Sequence, residues 1–157
     1  MPEAGPLSED LAAFLVSGLS ISVATRDADL APTGLRAWAA VVDREREHVE
    51  VFFHAKNSDE VLANLEENGR IAVLFVHPST SRACQLKGIF AGSRRAKPSE
   101  RREVERQVDG FFADLEVIGI RRDVTGGWKY WPSVAVRFRV EETFDQTPGP
   151  GAGGRIA

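Results

Sequence analysis

The sequence predicts a mostly antiparallel, closed β-sheet with helices packed around it, and three observations carry that expectation. Apolar residues alternate with a two-residue period in several separate segments, the mark of strands with one buried face. Short polar turns join the early segments, as in antiparallel hairpins. No long helix separates successive strands in the first half, which argues against a doubly wound parallel sheet.

Ser8 is an N-cap candidate, and Glu9 and Asp10 follow in the first turn, where carboxylates complement the helix dipole. Leu11, Phe14 and Leu15 then mark one helical face, and Gly18 supplies the stop. Leu19, Ile21 and Val23 alternate with Ser20, Ser22 and Ala24 through a first strand. The polar stretch 26–34, with Asp27, Asp29, Pro32 and Gly34, reads as a turn. A second strand is expected over 35–42, and Val49, Val51 and Phe53 alternate through a third after the charged turn 43–47. Asn57 reads as a helix cap, with Glu60 placed to close a capping box; Val61, Leu62 and Leu65 form the apolar face and Gly69 the end. The apolar run 71–76 is consistent with a strand covered on both faces, closed by Pro78. The segment 82–91 alternates less cleanly, with Gly88 a candidate bulge. Ser99 opens a longer helix on which Val104, Val108, Phe111, Phe112, Leu115 and Ile118 recur at three- and four-residue steps. In the last strand Val134, Val136, Phe138 and Val140 face one way, and Ala135, Arg137 and Arg139 the other. Residues 1–145 therefore read as one domain, and 146–157 as a Pro/Gly-rich tail too rich in those residues for regular structure.

Bulk properties narrow the function classes. The 157 residues are 43% hydrophobic and 27% charged, ordinary for a soluble globular chain. A net charge of −3 gives no global electrostatic reason for nucleic-acid binding. The basic-looking run 93–106 carries Glu100, Glu103 and Glu105 among its arginines and reads as a solvated helix face. No apolar run approaches the roughly 20 residues that span a bilayer. Residues 1–8 carry no basic stretch leading into an apolar one, so no secretory signal is expected and the expected location is cytoplasmic. The one cysteine, Cys84, excludes an internal disulfide and reads as a small buried apolar residue. His48, His54 and His77 lack the spacings of a zinc site, so no metal is expected there.

The segments ISVATRDADL, LRAWAAVVD, VEVFFHAKNS and GRIAVLFVHPSTSRACQLKG, with the last strand and FDQTPGPGAGG after it, resemble the pyridoxamine 5′-phosphate oxidase-like family. The likeness covers residues 11–153. It implies a six-stranded antiparallel split β-barrel with flanking α-helices, a homodimer, and a flavin mononucleotide (FMN) in a cleft between subunits. Carried across by position, Arg36 matches a phosphate contact, and Ala37 and its successors to Ala40 match the backbone lining the ring edge. Phe53 and His54 match the next contact pair, and Ser58 a phosphate-binding hydroxyl. Trp38 alternates with Arg36 and so shares its face, where it either stacks on a flavin or packs in the core or a dimer interface. The cluster Trp128, Tyr130 and Trp131 either covers a ligand or fills an interface, and the tail either is disordered or reaches over the partner's cleft.

Departures from the family pattern are equally specific. The helix-start Arg-Lys pair that clamps phosphate is replaced by Asp59 and Glu60, and a strand lysine by Val41. The ring-holding glutamine falls near Ala83, with Gln85 or Lys87 available as substitutes. Capping alone explains 57–60, and like charges at a helix N-terminus oppose a phosphate there unless Arg36, Lys56 and Arg82 converge to offset them. No counterpart of the arginine- and tyrosine-bearing substrate site is found, so a true pyridoxamine phosphate oxidase is not expected. Two readings follow from the resemblance: a flavin-dependent oxidoreductase of unknown substrate, or a non-catalytic dimeric barrel that has lost flavin. The deazaflavin F420, or haem held by His54, are the alternative ligands. No acid–base dyad or nucleophile stands out, as expected where a flavin carries the redox chemistry.

Overall fold

The structure, a computed structural model, describes residues 6–156. Residues 1–5, part of the stretch read for a secretory signal, and Ala157 lie outside the described residues. Helix α1 spans Glu9–Leu15 and is capped as the sequence predicts, Ser8 Oγ accepting from the Leu11 N–H at 3.1 Å. Strands β1 (Ser20–Arg26), β2 (Pro32–Val42) and β3 (His48–His54) follow, then α2 (Asp59–Asn68), β4 (Arg70–Val76) and β5 (Ala83–Arg95). Helices α3 (Arg101–Val117) and α4 (Arg122–Thr125) lead into β6 (Ser133–Asp145) and the two-residue β7 (Arg155–Ile156).

Every strand pairing is antiparallel, in the order β3-β2-β1-β4-β5-β6-β7, and β3 also pairs with β6. That last pairing closes six strands into a barrel and leaves β7 as an addition at the edge of β6. Side chains of one phase, among them Ile21, Val23, Val51, Phe53, Val73, Phe75, Leu86 and Phe138, fill the barrel, with Val61 and Leu65 of α2 packed on the same core. A second core lies outside it, where Val104, Val108, Phe111, Phe112 and Leu115 of α3 cover Trp38, Ala39, Phe52 and Ala135. The predicted three- and four-residue stripe of α3 thus meets the outward phase of β2, β3 and β6. Ile118 is the exception, exposed at the helix C-cap.

Several expectations need correction. β2 begins at Pro32 rather than at 35, because Asp27 Oδ1 accepts from the Asp29 and Ala31 N–H groups, both at 2.9 Å, and shortens the turn. The Asn57–Glu60 capping box does not form. Residues Ala55–Asn57 make a 3-10 turn, α2 starts after Ser58, and Glu60 instead accepts from Thr33 Oγ1 at 2.6 Å. β4 buries one face only within this chain: Ile71, Val73 and Phe75 are buried, while Ala72, Leu74 and Val76 are half-exposed. The tail is not irregular throughout, because Gly153 and Gly154 bond back to Asp145 and β7 pairs with Thr143 and Phe144.

The turn between β2 and β3 is held by Asp43. Its carboxylate accepts from the N–H groups of Glu47 (2.9 Å) and His48 (3.0 Å), faces the His48 ring at 3.0 Å, and reaches Arg137 of β6 at 3.3 Å. Burial alone would raise the Asp43 pKa, but the two backbone N–H groups and the His48 ring outweigh it and hold the group below its ordinary value. A depressed carboxyl contributes stability that is present above the unfolded pKa, about 3.9, and is lost as pH falls through the folded value. Asp43→Asn is therefore expected to cost about 1–2 kcal/mol at neutral pH. The gap from the parent protein should close as urea melts are taken into the acid range, and a gap that persists there would contradict the assignment.

Candidate functional site

The barrel's outer surface divides in two. α3 covers the side formed by β2, β3 and β6, whereas the side crossing β2, β1, β4 and β5 lies outside that core and meets the tail only near β5, where Gln146 and Pro148 border Leu74, Val76 and Ala83. Strand register sets out its residues in rows. Arg36 lies opposite Ser22, Ser22 opposite Leu74, Leu74 opposite Gln85, and Gln85 opposite Phe144. Ser22, Ala24, Gly34, Arg36 and Lys87 of this face are exposed, and Leu74, Val76 and Gln85 half-buried.

Arg36 marks the boundary between the two sides. Its guanidinium carbon sits 5.7 Å from the Trp38 ring and 5.4 Å from each of Phe111 and Trp128, and Nη1 donates to Ser20 Oγ at 3.1 Å. The alternation that places Arg36 and Trp38 on one face holds, but a bulge between Ala37 and Ala39 turns both Trp38 and Ala39 outward. Burial lowers the pKa of Arg36 from its ordinary value, with no neighbouring carboxylate contributing. A guanidinium stays protonated at neutral pH regardless. The side chain is thus a partly desolvated cation on an aromatic cradle, without an anionic partner among the described residues.

The remaining predicted residues divide by position. Ala37 and Phe53 point into the barrel core, so only their backbone is available on the outside. Trp38 is buried, its ring 6.2 Å from Phe112, 6.0 Å from Trp128 and 6.3 Å from Tyr130, so it packs in the outer core rather than lying free to stack on a ligand. Ser58 is buried, and its hydroxyl donates to the Ala55 carbonyl at 2.7 Å. It makes no side-chain cap, which leaves the first N–H groups of α2 without one beside Asp59 and Glu60. Lys56 stands exposed on the 3-10 turn. Arg82 is engaged elsewhere, bonded to Asp10 at 2.7 Å and stacked 4.1 Å over Phe14, so it ties the β4–β5 loop to α1.

His54 Nδ1 accepts from the Lys56 N–H at 3.1 Å. In the neutral ring that places the proton on Nε2, making that nitrogen a donor. An iron ligand needs the Nε2 lone pair, so ligation of haem there would cost this hydrogen bond.

Gln85 lies in a hollow of 440 Å³ on the open face, formed by Leu74, Val76, Ser81, Ala83, Gln146 and Pro148. Its Oε1 meets Gln146 Nε2 at 3.4 Å, a long contact that leaves both carboxamides with bonding capacity. Lys87 follows one step along the same side, its ammonium 5.1 Å from the Phe144 ring. The sequence leaves the tail either disordered or reaching over a partner's cleft, and the structure sets its residues Gln146 and Pro148 beside Gln85 of their own chain. The outward phase of the 71–76 run, Leu74 and Val76, was the signal for a second apolar surface. Cys84 turns into the core beside this hollow, and burial pushes its thiol up to about 12. We expect it to resist iodoacetamide at mildly alkaline pH in the folded protein and to react after denaturation. Rapid labelling of native protein would place it in an open setting instead.

No family model matches the sequence, and no curated protein matches it. Solved structures do resemble it. A protein assigned as a pyridoxamine 5′-phosphate oxidase from Lactobacillus delbrueckii is 15% identical with a TM-score of 0.55, over 92% of this chain and 99% of that one. An F420 reductase is 15% identical with a TM-score of 0.55, over 91% and 98%. An FMN-binding protein from Syntrophomonas wolfei is 10% identical with a TM-score of 0.51, over 86% and 85%. At such identities the likeness is one of fold, and it agrees with the resemblance carried by the sequence motifs. The chain has the split-barrel fold of these proteins, a closed six-stranded antiparallel barrel with one added strand and flanking helices.

Proposed function

We propose that the open sheet face holds a flavin-type cofactor, FMN or the deazaflavin F420, between two copies of this chain, and that the protein is a flavin-dependent oxidoreductase. The observation that carries this reading is Arg36, a partly desolvated guanidinium beside three aromatic rings with no carboxylate paired to it among the described residues. Such a group is suited to a phosphate, which a guanidinium binds through paired N–H donors. Gln85 and Gln146 offer donors and acceptors for the polar edge of a ring, over the apolar floor of Leu74 and Val76. The ring system would supply the electron or hydride chemistry, and the protein's part is to bind, orient and dry it.

Pairing of two copies is supported by the apolar run of β4. A strand apolar on both phases calls for cover on both, and the outward phase, with Ala24 and Ser22 beside it, stays half-exposed among the described residues. Structures of the same fold include an FMN-binding protein and an F420 reductase. A second reading, a barrel that binds a partner or ligand without flavin, is favoured by Asp59 and Glu60 at the α2 start and by the packing of Trp38.

The test is the visible spectrum of the purified protein after incubation with FMN, and separately with F420, followed by gel filtration. The wild-type protein should retain one of them near one per subunit. Arg36→Ala should weaken retention about 10- to 100-fold, the loss of hydrogen bonds to a charged group. Retention of neither cofactor would reject the oxidoreductase in favour of the second reading.

A further inference from the structure

We infer that Trp128 is the positioning residue for Arg36: its indole ring, brought in by the loop between α4 and β6, holds the guanidinium in the orientation that receives a phosphate. The inference rests on the cofactor reading above and adds the loop 126–132 to that site. Of the three rings beside Arg36, Trp38 stands on β2 and Phe111 on α3, and both are buried in the outer core. Trp128 is the third, half-buried and carried by a loop. Its backbone N–H donates to the carbonyl of the buried Thr125 at 3.0 Å. From there the ring meets Phe112 edge-on at 5.8 Å, tilts against Trp38 at 6.0 Å and stacks with Phe111 at 6.5 Å. One loop side chain thus packs on the outer core and on Arg36 together.

A ring acts on a cation differently from a carboxylate. Its negative π face attracts the guanidinium, yet it neutralises no charge and offers no lone pair. Among the described residues the one hydrogen bond from the Arg36 side chain is that of Nη1 to Ser20 Oγ, so Nε and Nη2 keep their donors. Those donors stay available to an anion while the long side chain is held in place, and less rotamer freedom is lost when the anion arrives. Trp131, three residues further along the same loop, has a different partner, its ring 5.6 Å from the Arg101 guanidinium.

Retention of FMN and of F420 by Trp128→Leu, Trp128→Phe and Trp131→Leu, compared with the wild type, tests the assignment. Leucine stays apolar but has no π face, so Trp128→Leu should weaken retention of the cofactor that the wild type keeps by about tenfold. Trp128→Phe should come within about threefold of the wild type, since a benzene ring attracts a cation less than indole does. Trp131→Leu should match the wild type. A second readout needs no cofactor. The Arg36 Nε–H resonance, assigned by its absence from Arg36→Ala, should be displaced by ring currents in the wild type and in Trp128→Phe. In Trp128→Leu it should move towards the position of a solvated arginine. Thermal midpoints check folding, and if Trp128→Leu does not fold, Trp128→Met takes its place as a more adaptable filler. Equal retention by Trp128→Leu and the wild type, equal loss in Trp131→Leu, or an Arg36 resonance that does not respond overturns the role of Trp128 and leaves the cofactor reading standing. A wild-type protein that retains neither cofactor rejects that reading, and this inference with it.

Discussion

Replacing Gly88 by alanine is expected to destabilise the protein by about 3 kcal/mol, the upper end of what an overpacked side chain costs. A Cβ at this position would lie 2.1 Å from the Arg139 carbonyl oxygen and 2.8 Å from Phe138 Cδ2. The nearer obstacle is backbone, so a rotamer change cannot relieve it. Gly88 sits at the register shift between Lys87 and Gly88, opposite Val140, within the long β5–β6 pairing. Accommodating a methyl group there means parting β5 from β6 in the wall of a closed barrel, where each strand is held on both sides. For a chain of this size the loss corresponds to a fall in Tm of roughly 6–12 °C. Gly127→Ala is the control, since no atom lies within 4 Å of its added Cβ. Urea unfolding of the two variants side by side reads the effect. If Gly88→Ala came within about 1 kcal/mol of Gly127→Ala, close approach would not be what requires glycine at the bulge.

Gly88 also illustrates what was legible in the sequence. A glycine interrupting an alternating strand signals a bulge or a close approach, and here it marks both. Features with a local cause were readable in the same way: the Ser8 cap, the alternation of β1, β3 and β6, the apolar stripe of α3, and the left-handed end of α2 at Gly69. Where two local solutions compete, the pattern misled. Asn57 and Glu60 have the spacing of a capping box, yet the 3-10 turn before Ser58 displaces the helix start, and Thr33 of β2 takes the Glu60 carboxylate.

The candidate site was legible by type and opaque by environment. Resemblance singled out Arg36, but the rings that cradle it include Phe111 and Trp128, far along the chain, and no local pattern brings those together. Phe53 matched a contact position, although its strand phase already sent it into the barrel with Val49 and Val51. Gln85 and Lys87 share one outward phase yet stand in different hollows, because Gln146 and Pro148 close one and Arg26 and Arg70 the other. Such divisions arise from the barrel's closure and the return of the tail, which are long-range events.

The same limit hid Gln107, whose replacement by leucine is the second large expected effect. It stands on the apolar stripe of α3 and is 1% exposed. Its Oε1 accepts from the Ala40 N–H at 2.9 Å, and its Nε2 donates to the Ala40 carbonyl at 2.8 Å and to Glu103 at 2.9 Å. Ala40 needs that carboxamide because β1 pairs with β2 only as far as Ala37, so the backbone groups of Ala40 have lost their neighbouring strand. One side chain thus replaces a missing strand at the place where α3 crosses the barrel. Leucine fills a similar volume but leaves a buried N–H and a buried carbonyl without partners, each costing about 1–3 kcal/mol. Gln107→Leu should therefore lose about 2–5 kcal/mol in urea unfolding, a large share of the 5–15 kcal/mol typical of a domain. Gln107→Glu separates this cause from packing. A carboxylate still accepts the Ala40 N–H but sets a second oxygen against the carbonyl, so it should be destabilised at neutral pH and recover in part when acid restores a donor. Equal stability of the glutamate and glutamine proteins at neutral pH would show that Ala40 does not depend on this bridge.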